Sequence, residues 1–203
     1  MGTWGITMRE SDYGLDLLGT IVDTRLKTVD FRTFHVADAL ELFKAVIIEE
    51  IRRANRGCSA ADFVSYFSDN FLRNFTQGAL LIAECLADYY RTGEMVVYEY
   101  VGKNYDPVEH RIKEFVVTQA DLKLLLDELQ SVQNPEHWLY RSWFRDETRE
   151  EWLAHIQSVY QTLKEHISLT TSAPAQLTNN QLRRGFFVFP PKTTRRKSQC
   201  RQI

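Results

Sequence analysis

The chain has 203 residues, 44% hydrophobic and 26% charged, which is enough for one domain and an appendage without disulfide or metal staples. All 27 acidic residues precede Ile167 while seven of the 25 basic ones follow it, leaving a body near −9 and a tail near +7. Such a body argues against non-specific nucleic-acid binding by the folded part, and no apolar run approaches the ~20 residues of a membrane span.

In chain order, Met1-Gly2-Thr3-Trp4-Gly5 leads to a helix beginning near Asp12, with Leu15, Leu18, Val22 and Leu26 at helical spacing and Leu17 and Ile21 widening the stripe. A stronger helix spans about Val36 to Asn55: Val36, Leu40, Phe43, Ile47 and Ile51 share one face, and Gly57 stops it. Ser59 and Asp62 have the spacing of a capping box for a helix carrying Phe63, Tyr66, Phe67 and Phe71. Thr76 is expected to cap a separate fourth helix, Gln77 to about Arg91, whose middle is apolar nearly all round and which Gly93 ends.

Met95–Val101 and Ile112–Val117 are rich in β-branched and aromatic residues, with Gly102, Asn104, Asp106 and Pro107 between them, so a hairpin with a long loop is expected. Thr118 and Asp121 form a second capping box before Leu122, Leu125, Leu126 and Leu129. Trp138, Tyr140, Trp143 and Phe144 mark a short aromatic helix, and Asp146 caps a last one to about His166, striped by Trp152, Ile156, Val159, Leu163 and Ile167. The fold class is therefore mainly α (α+β): one domain of about six helices over residues 1–167, with a small antiparallel hairpin near 95–117. Residues 168–203 read as a basic, disordered tail, although Phe186, Phe187 and Phe189 form an apolar patch that a solvated linker would lack.

Chemistry-bearing motifs are missing: no GxSxG elbow, P-loop, GxGxxG or HExxH is present. Cys58, Cys85 and Cys200 are odd in number and far apart, so no disulfide framework or zinc site is expected, and Cys85 reads as a core residue. Glu151 and His155, four apart, read as an exposed pair on the final helix. Asp12 and Asp16 read as a cap and as complements to the helix dipole rather than as cation ligands. No catalytic residue, metal or cofactor is assigned. The start lacks a secretory pattern, and neither end matches a lipidation box, since Ile6 stands where myristoylation needs Ser or Thr.

Met1-Gly2-Thr3-Trp4-Gly5, followed by Glu10-Ser11-Asp12-Tyr13-Gly14-Leu15-Asp16, resembles the opening of the bacterial domain-of-unknown-function 4259 family. Its members begin Met-Gly, any residue, Trp-Gly, and soon reach an acidic stretch ending in Leu-Asp. The likeness covers about twenty residues, and Ile6 to Arg9 depart from the commoner Gly-containing link. It implies a mostly helical bacterial cytoplasmic protein and carries Gly2, Trp4, Gly5, Asp12, Leu15 and Asp16 as motif residues of structural role.

Two functions follow as expectations. The first is a non-catalytic protein-interaction module, regulatory or immunity-like, with Trp138, Tyr140, Trp143 and Phe144 as the partner surface, because aromatics anchor hot spots and an acidic face attracts basic partners. The second is nucleic-acid contact through Arg183, Arg184, Lys192, Arg195, Arg196 and Lys197. An enzyme with a dispersed active site is the third possibility. The interaction-module reading rests on the expectation that residues 1–167 close into one dry interior with no cleft furnished for chemistry.

Overall fold

A computed structural model describes residues 5–26, 33–54, 60–101, 106–143 and 145–172. The chain is mainly helical with a small antiparallel strand pair, as its patterning predicts. Six α helices are described: α1 (Asp12–Leu26), α2 (Val36–Ala54), α3 (Ala60–Thr92), α4 (Gln119–Ser131), α5 (Trp138–Arg141) and α6 (Asp146–Ser172). Strands β1 (Thr33–His35), β2 (Met95–Val101), β3 (Asp106–Ile112) and β4 (Glu114–Val116) are interspersed, and a 3-10 turn covers Met8–Glu10. None of the described helices is long and apolar enough to cross a membrane.

The core gathers on α3. Residues 79–83 and 85–87 of that helix are buried, and α2 meets them with Phe43 and Ile47, neither of which has any exposed surface. Gly78 makes this approach possible, because a Cβ there would sit 2.7 Å from the Phe43 ring. From the other side α4 contributes Leu122, Leu125 and Leu129, and α6 contributes Trp152, Ile156, Val159 and Leu163. These are the stripes that helical periodicity marks out. The Thr118–Asp121 capping box also forms: the Asp121 amide donates to the Thr118 hydroxyl at 3.1 Å, and the Asp121 carboxylate accepts from the Thr118 amide at 2.9 Å.

Six expectations are corrected. The third and fourth helices are one 33-residue helix, α3. Thr76, expected to cap, is buried inside it and donates its hydroxyl to Glu128 of α4 at 3.0 Å, so it needs no helix end. The hairpin is tighter than expected: Asp106 and Pro107 already belong to β3, paired with Val101 and Tyr100. Glu114–Val116, expected to extend that hairpin, instead pair in parallel with Thr33–His35, where Phe34 lies 4.9 Å from the Phe115 ring. Ser11 rather than Asp12 caps α1, its hydroxyl accepting from the Gly14 amide at 3.0 Å and donating to the Met8 carbonyl at 2.7 Å. Finally, the last helix, expected to end near His166, runs to Ser172.

Candidate functional site

Two concave features lie on either side of Arg9. The first is a cleft of about 300 Å³ lined by Thr7, Arg9, Glu10, Glu84, Asp88, His155 and Val159. Its floor is Glu84, a carboxylate 4% exposed in the middle of the apolar stretch of α3. A buried charge needs full compensation. Glu84 receives the Met8 amide on both oxygens, at 2.9 and 3.0 Å, and the Nε2 of His155 lies 2.9 Å from its Oε1. Three distant segments therefore meet on one carboxylate.

The other cleft carboxylates are also engaged. Glu10 accepts from the amide and hydroxyl of Thr7, both at 3.0 Å, and these bonds hold its carboxyl below the usual glutamate range. Asp88 accepts from Arg9 at 2.8 Å and lies 3.5 Å from Arg91, whose guanidinium also donates to Ser158 and Thr162. Behind Arg9, burial pushes the Cys85 thiol up, outweighing the pull of the guanidinium, so a thiolate is disfavoured. Among the described residues no group of His, Cys, Asp and Glu side chains is arranged to hold a metal ion. The cleft is chemically a clamp that fixes the 3-10 turn to α3 and α6.

The cleft corrects the expectation of a closed, unfurnished interior. It also corrects the pairing of His155, whose partner is Glu84 rather than the exposed Glu151. Sequence reasoning missed Glu84, Asp88 and Arg9. The available signal was Glu84 itself, since a lone carboxylate between Ala83 and Cys85 in an apolar stretch demands a partner from elsewhere in the chain.

The second feature is a groove of about 510 Å³ between α1 and β2, with far more apolar than polar surface. The α1 wall is Leu15, Leu18, Gly19 and Val22, and the opposite wall is Met95 to Tyr98. The rim is apolar and exposed: Leu15 is 55% and Tyr98 52% accessible. This corrects the expected core face of α1 at Leu15, which turns out to the groove rim, whereas Leu17, Ile21 and Val22 are buried as expected and Leu18 is partly buried against the core.

The motif residues divide accordingly. Gly2 and Trp4 lie outside the described residues. Gly5 packs against Glu10, whose carboxylate occupies the space a Cβ would need. Asp12, Leu15 and Asp16 are on the exposed side of α1, and Leu15 and Asp16 line the groove. The aromatic cluster is largely spent on packing. Trp138 lies under Arg73, Tyr140 under Arg149, and Trp143 stacks 5.6 Å from the core ring of Trp152. Phe144 lies outside the described residues, as do the tail residues Arg183, Arg184, Lys192, Arg195, Arg196 and Lys197. In comparison with known proteins, the chain matches no family model, no curated protein and no solved structure.

Proposed function

We propose that this chain is a non-catalytic protein-interaction module, regulatory or immunity-like, whose receiving surface is the groove between α1 and β2. One observation carries the reading: a mostly apolar groove of about 510 Å³ is left open, with Leu15 and Tyr98 more than half exposed at its rim. Large apolar side chains grouped around a concavity mark binding surfaces, whereas scattered ones do not. The aromatic cluster near α5 is the weaker candidate, because its rings already pack on the body. Kinship with the domain-of-unknown-function 4259 family belongs to the same proposal. Its support is the shared N-terminal block, Met1-Gly2-Thr3-Trp4-Gly5 with Glu10 to Asp16 following.

Gly19 supplies the test. It is exposed on the groove wall, and a Cβ there would meet nothing within 4 Å. Gly19→Trp should fill the groove without disturbing the core. Affinity capture from the source organism with wild-type and Gly19→Trp protein should show partners that the variant loses by tenfold or more. Capture indifferent to the substitution removes the groove as the receiving surface.

A second reading has its own observation. An imidazole oriented by a buried carboxylate, as His155 is by Glu84, is half of a general-base arrangement. Turnover of ester, phosphoester or peptide substrates by wild type and not by His155→Gln would favour it. Turnover by neither protein leaves the interaction module.

A further inference from the structure

The groove between α1 and β2 also has the size and lining of a small-molecule site. Its volume, about 510 Å³, lies within the roughly 300–1,000 Å³ of ligand pockets, and its surface is mostly apolar. Buried Val22, Cys85 and Met95 form its floor, while exposed Leu15, Gly19 and Tyr98 stand at its mouth. α1 and β2 also pack against each other. An occupant that enters without parting them is therefore slim, an alkyl chain rather than a helix or a strand.

One cation reaches this apolar floor. Arg9 lines the groove beside Cys85. Its Nη1 lies 2.8 Å from Asp88, but its Nη2 is buried and has no hydrogen-bond partner. A buried guanidinium nitrogen left without an acceptor is costly, and native structures keep few such groups. The neighbouring groups do not answer it. Asp88 is shared with Arg91 at 3.5 Å, and Glu84 spends its oxygens on the Met8 amide and His155. Cys85 is held as a neutral thiol, a weak acceptor. The Arg9 side chain is still 29% exposed, so the guanidinium can turn its Nη2 toward a head group on the floor. Asp16, the other charge of the lining, is exposed at the mouth and drives an anionic head inward toward Arg9. One free donor suits a carboxylate, whereas a phosphate would bring more charge and a third oxygen to satisfy.

We propose that the groove binds a small apolar carboxylate of the fatty-acid class, its alkyl chain along Leu15, Leu18 and Val22 and its carboxylate on Nη2 of Arg9. This goes beyond the reading of the groove as a receiving surface and does not depend on it. A bound carboxylate and a protein partner would exclude each other there.

The test is calorimetric titration of the full chain with three probes that share one tail: decanoate, decanol and decylamine. Decanoate should bind one to one and about tenfold or more tighter than decanol, the size of one charge-assisted hydrogen bond. Gly19→Trp should abolish that binding, and Gly19→Ala should keep it. Arg9→Gln should bring decanoate down to the affinity of decanol and leave decanol unchanged. Asp88→Asn, which releases Arg9 from its pair, should tighten decanoate severalfold, and it reads the same contact if Arg9→Gln fails to fold. Decanol as tight as decanoate, decylamine tighter than either, several decanoates per chain, binding indifferent to Gly19→Trp, or no binding by any probe overturns the proposal. If host partners are lost in Gly19→Trp while decanoate fails to bind, the receiving surface stands and the ligand falls. If decanoate binds as described while capture ignores Gly19→Trp, the ligand stands and the receiving surface falls.

Discussion

Alanine placed at two glycines of the same helix should have opposite effects, and the pair isolates what the N-terminal turn contributes. In a helix interior, Gly→Ala gains about 0.8–1.0 kcal/mol from reduced backbone entropy in the unfolded chain and better helix propensity. At Gly19 nothing lies within 4 Å of the new methyl, so Gly19→Ala should keep most of that gain and stabilise by about 0.5–1 kcal/mol. At Gly14 the methyl would overlap the Met8 carbonyl oxygen and stand 2.7 Å from its carbon and 2.9 Å from the Ser11 hydroxyl. The neighbour is backbone, so the turn must move. That movement breaks the two Ser11 hydroxyl bonds and loosens the Met8 amide on Glu84. At about 0.5–1.5 kcal/mol for each bond, three lost bonds cost about 2–4 kcal/mol. The propensity gain returns about 1 kcal/mol, so Gly14→Ala should destabilise by about 1–3 kcal/mol. Urea unfolding followed by circular dichroism should move the two midpoints in opposite directions with unchanged slope. A Gly14→Ala protein as stable as wild type would refute the account of the turn. A clearly destabilised Gly19→Ala would refute the open space at the groove.

Three other predictions concern charge. Glu84→Ala leaves the Met8 amide buried without an acceptor and should cost about 1–3 kcal/mol, while Glu84→Gln retains one oxygen and should cost about 1 kcal/mol or less. Denaturant midpoints of the two variants check this, and equal losses would contradict the clamp. Burial raises the Glu128 carboxyl, with the Thr76 hydroxyl bond acting against it. The folded form thus holds its proton to higher pH than the unfolded one, and stability falls as pH rises from the ordinary glutamate range, ~4.3, through the raised folded value. Glu128→Gln should flatten that fall and match or exceed wild type at pH 7, as urea midpoints at pH 4 and 7 would show. If the basic tail contacts nucleic acid, replacing Arg195, Arg196 and Lys197 by glutamine should lower the salt slope of DNA or RNA binding by about 2–3. An unchanged slope in a filter-binding titration removes those three residues from any such contact.

The clamp shows how far local signals reach. Thr118 with Asp121, and the stripes of α2, α4 and α6, depend on residues three to seven apart, so periodicity and capping chemistry disclose them directly. Thr76 shows the opposite case. A threonine before an apolar run has the form of a cap, yet Glu128 on a neighbouring helix satisfies its hydroxyl and the helix passes through. Leu15 has the spacing of a core stripe, yet it stands exposed at the groove rim while Leu17 and Ile21 enter the core.

By itself the sequence determined the helical class, the buried faces of α2, α4 and α6, and the uneven charge between an acidic first part and a basic end, because these follow from neighbouring residues and summed charge. Tertiary structure alone decided that Thr33–His35 pair with Glu114–Val116, that Glu84 receives Met8 and His155, and that α1 and β2 stand apart as a groove. Those partners are separated by some seventy to eighty residues, as in the Met8–Glu84 and Glu84–His155 bonds. No periodic pattern spans such distances. They meet because burying the helix stripes fixes where the segments cross, and a carboxylate caught at that crossing takes the donors it finds there.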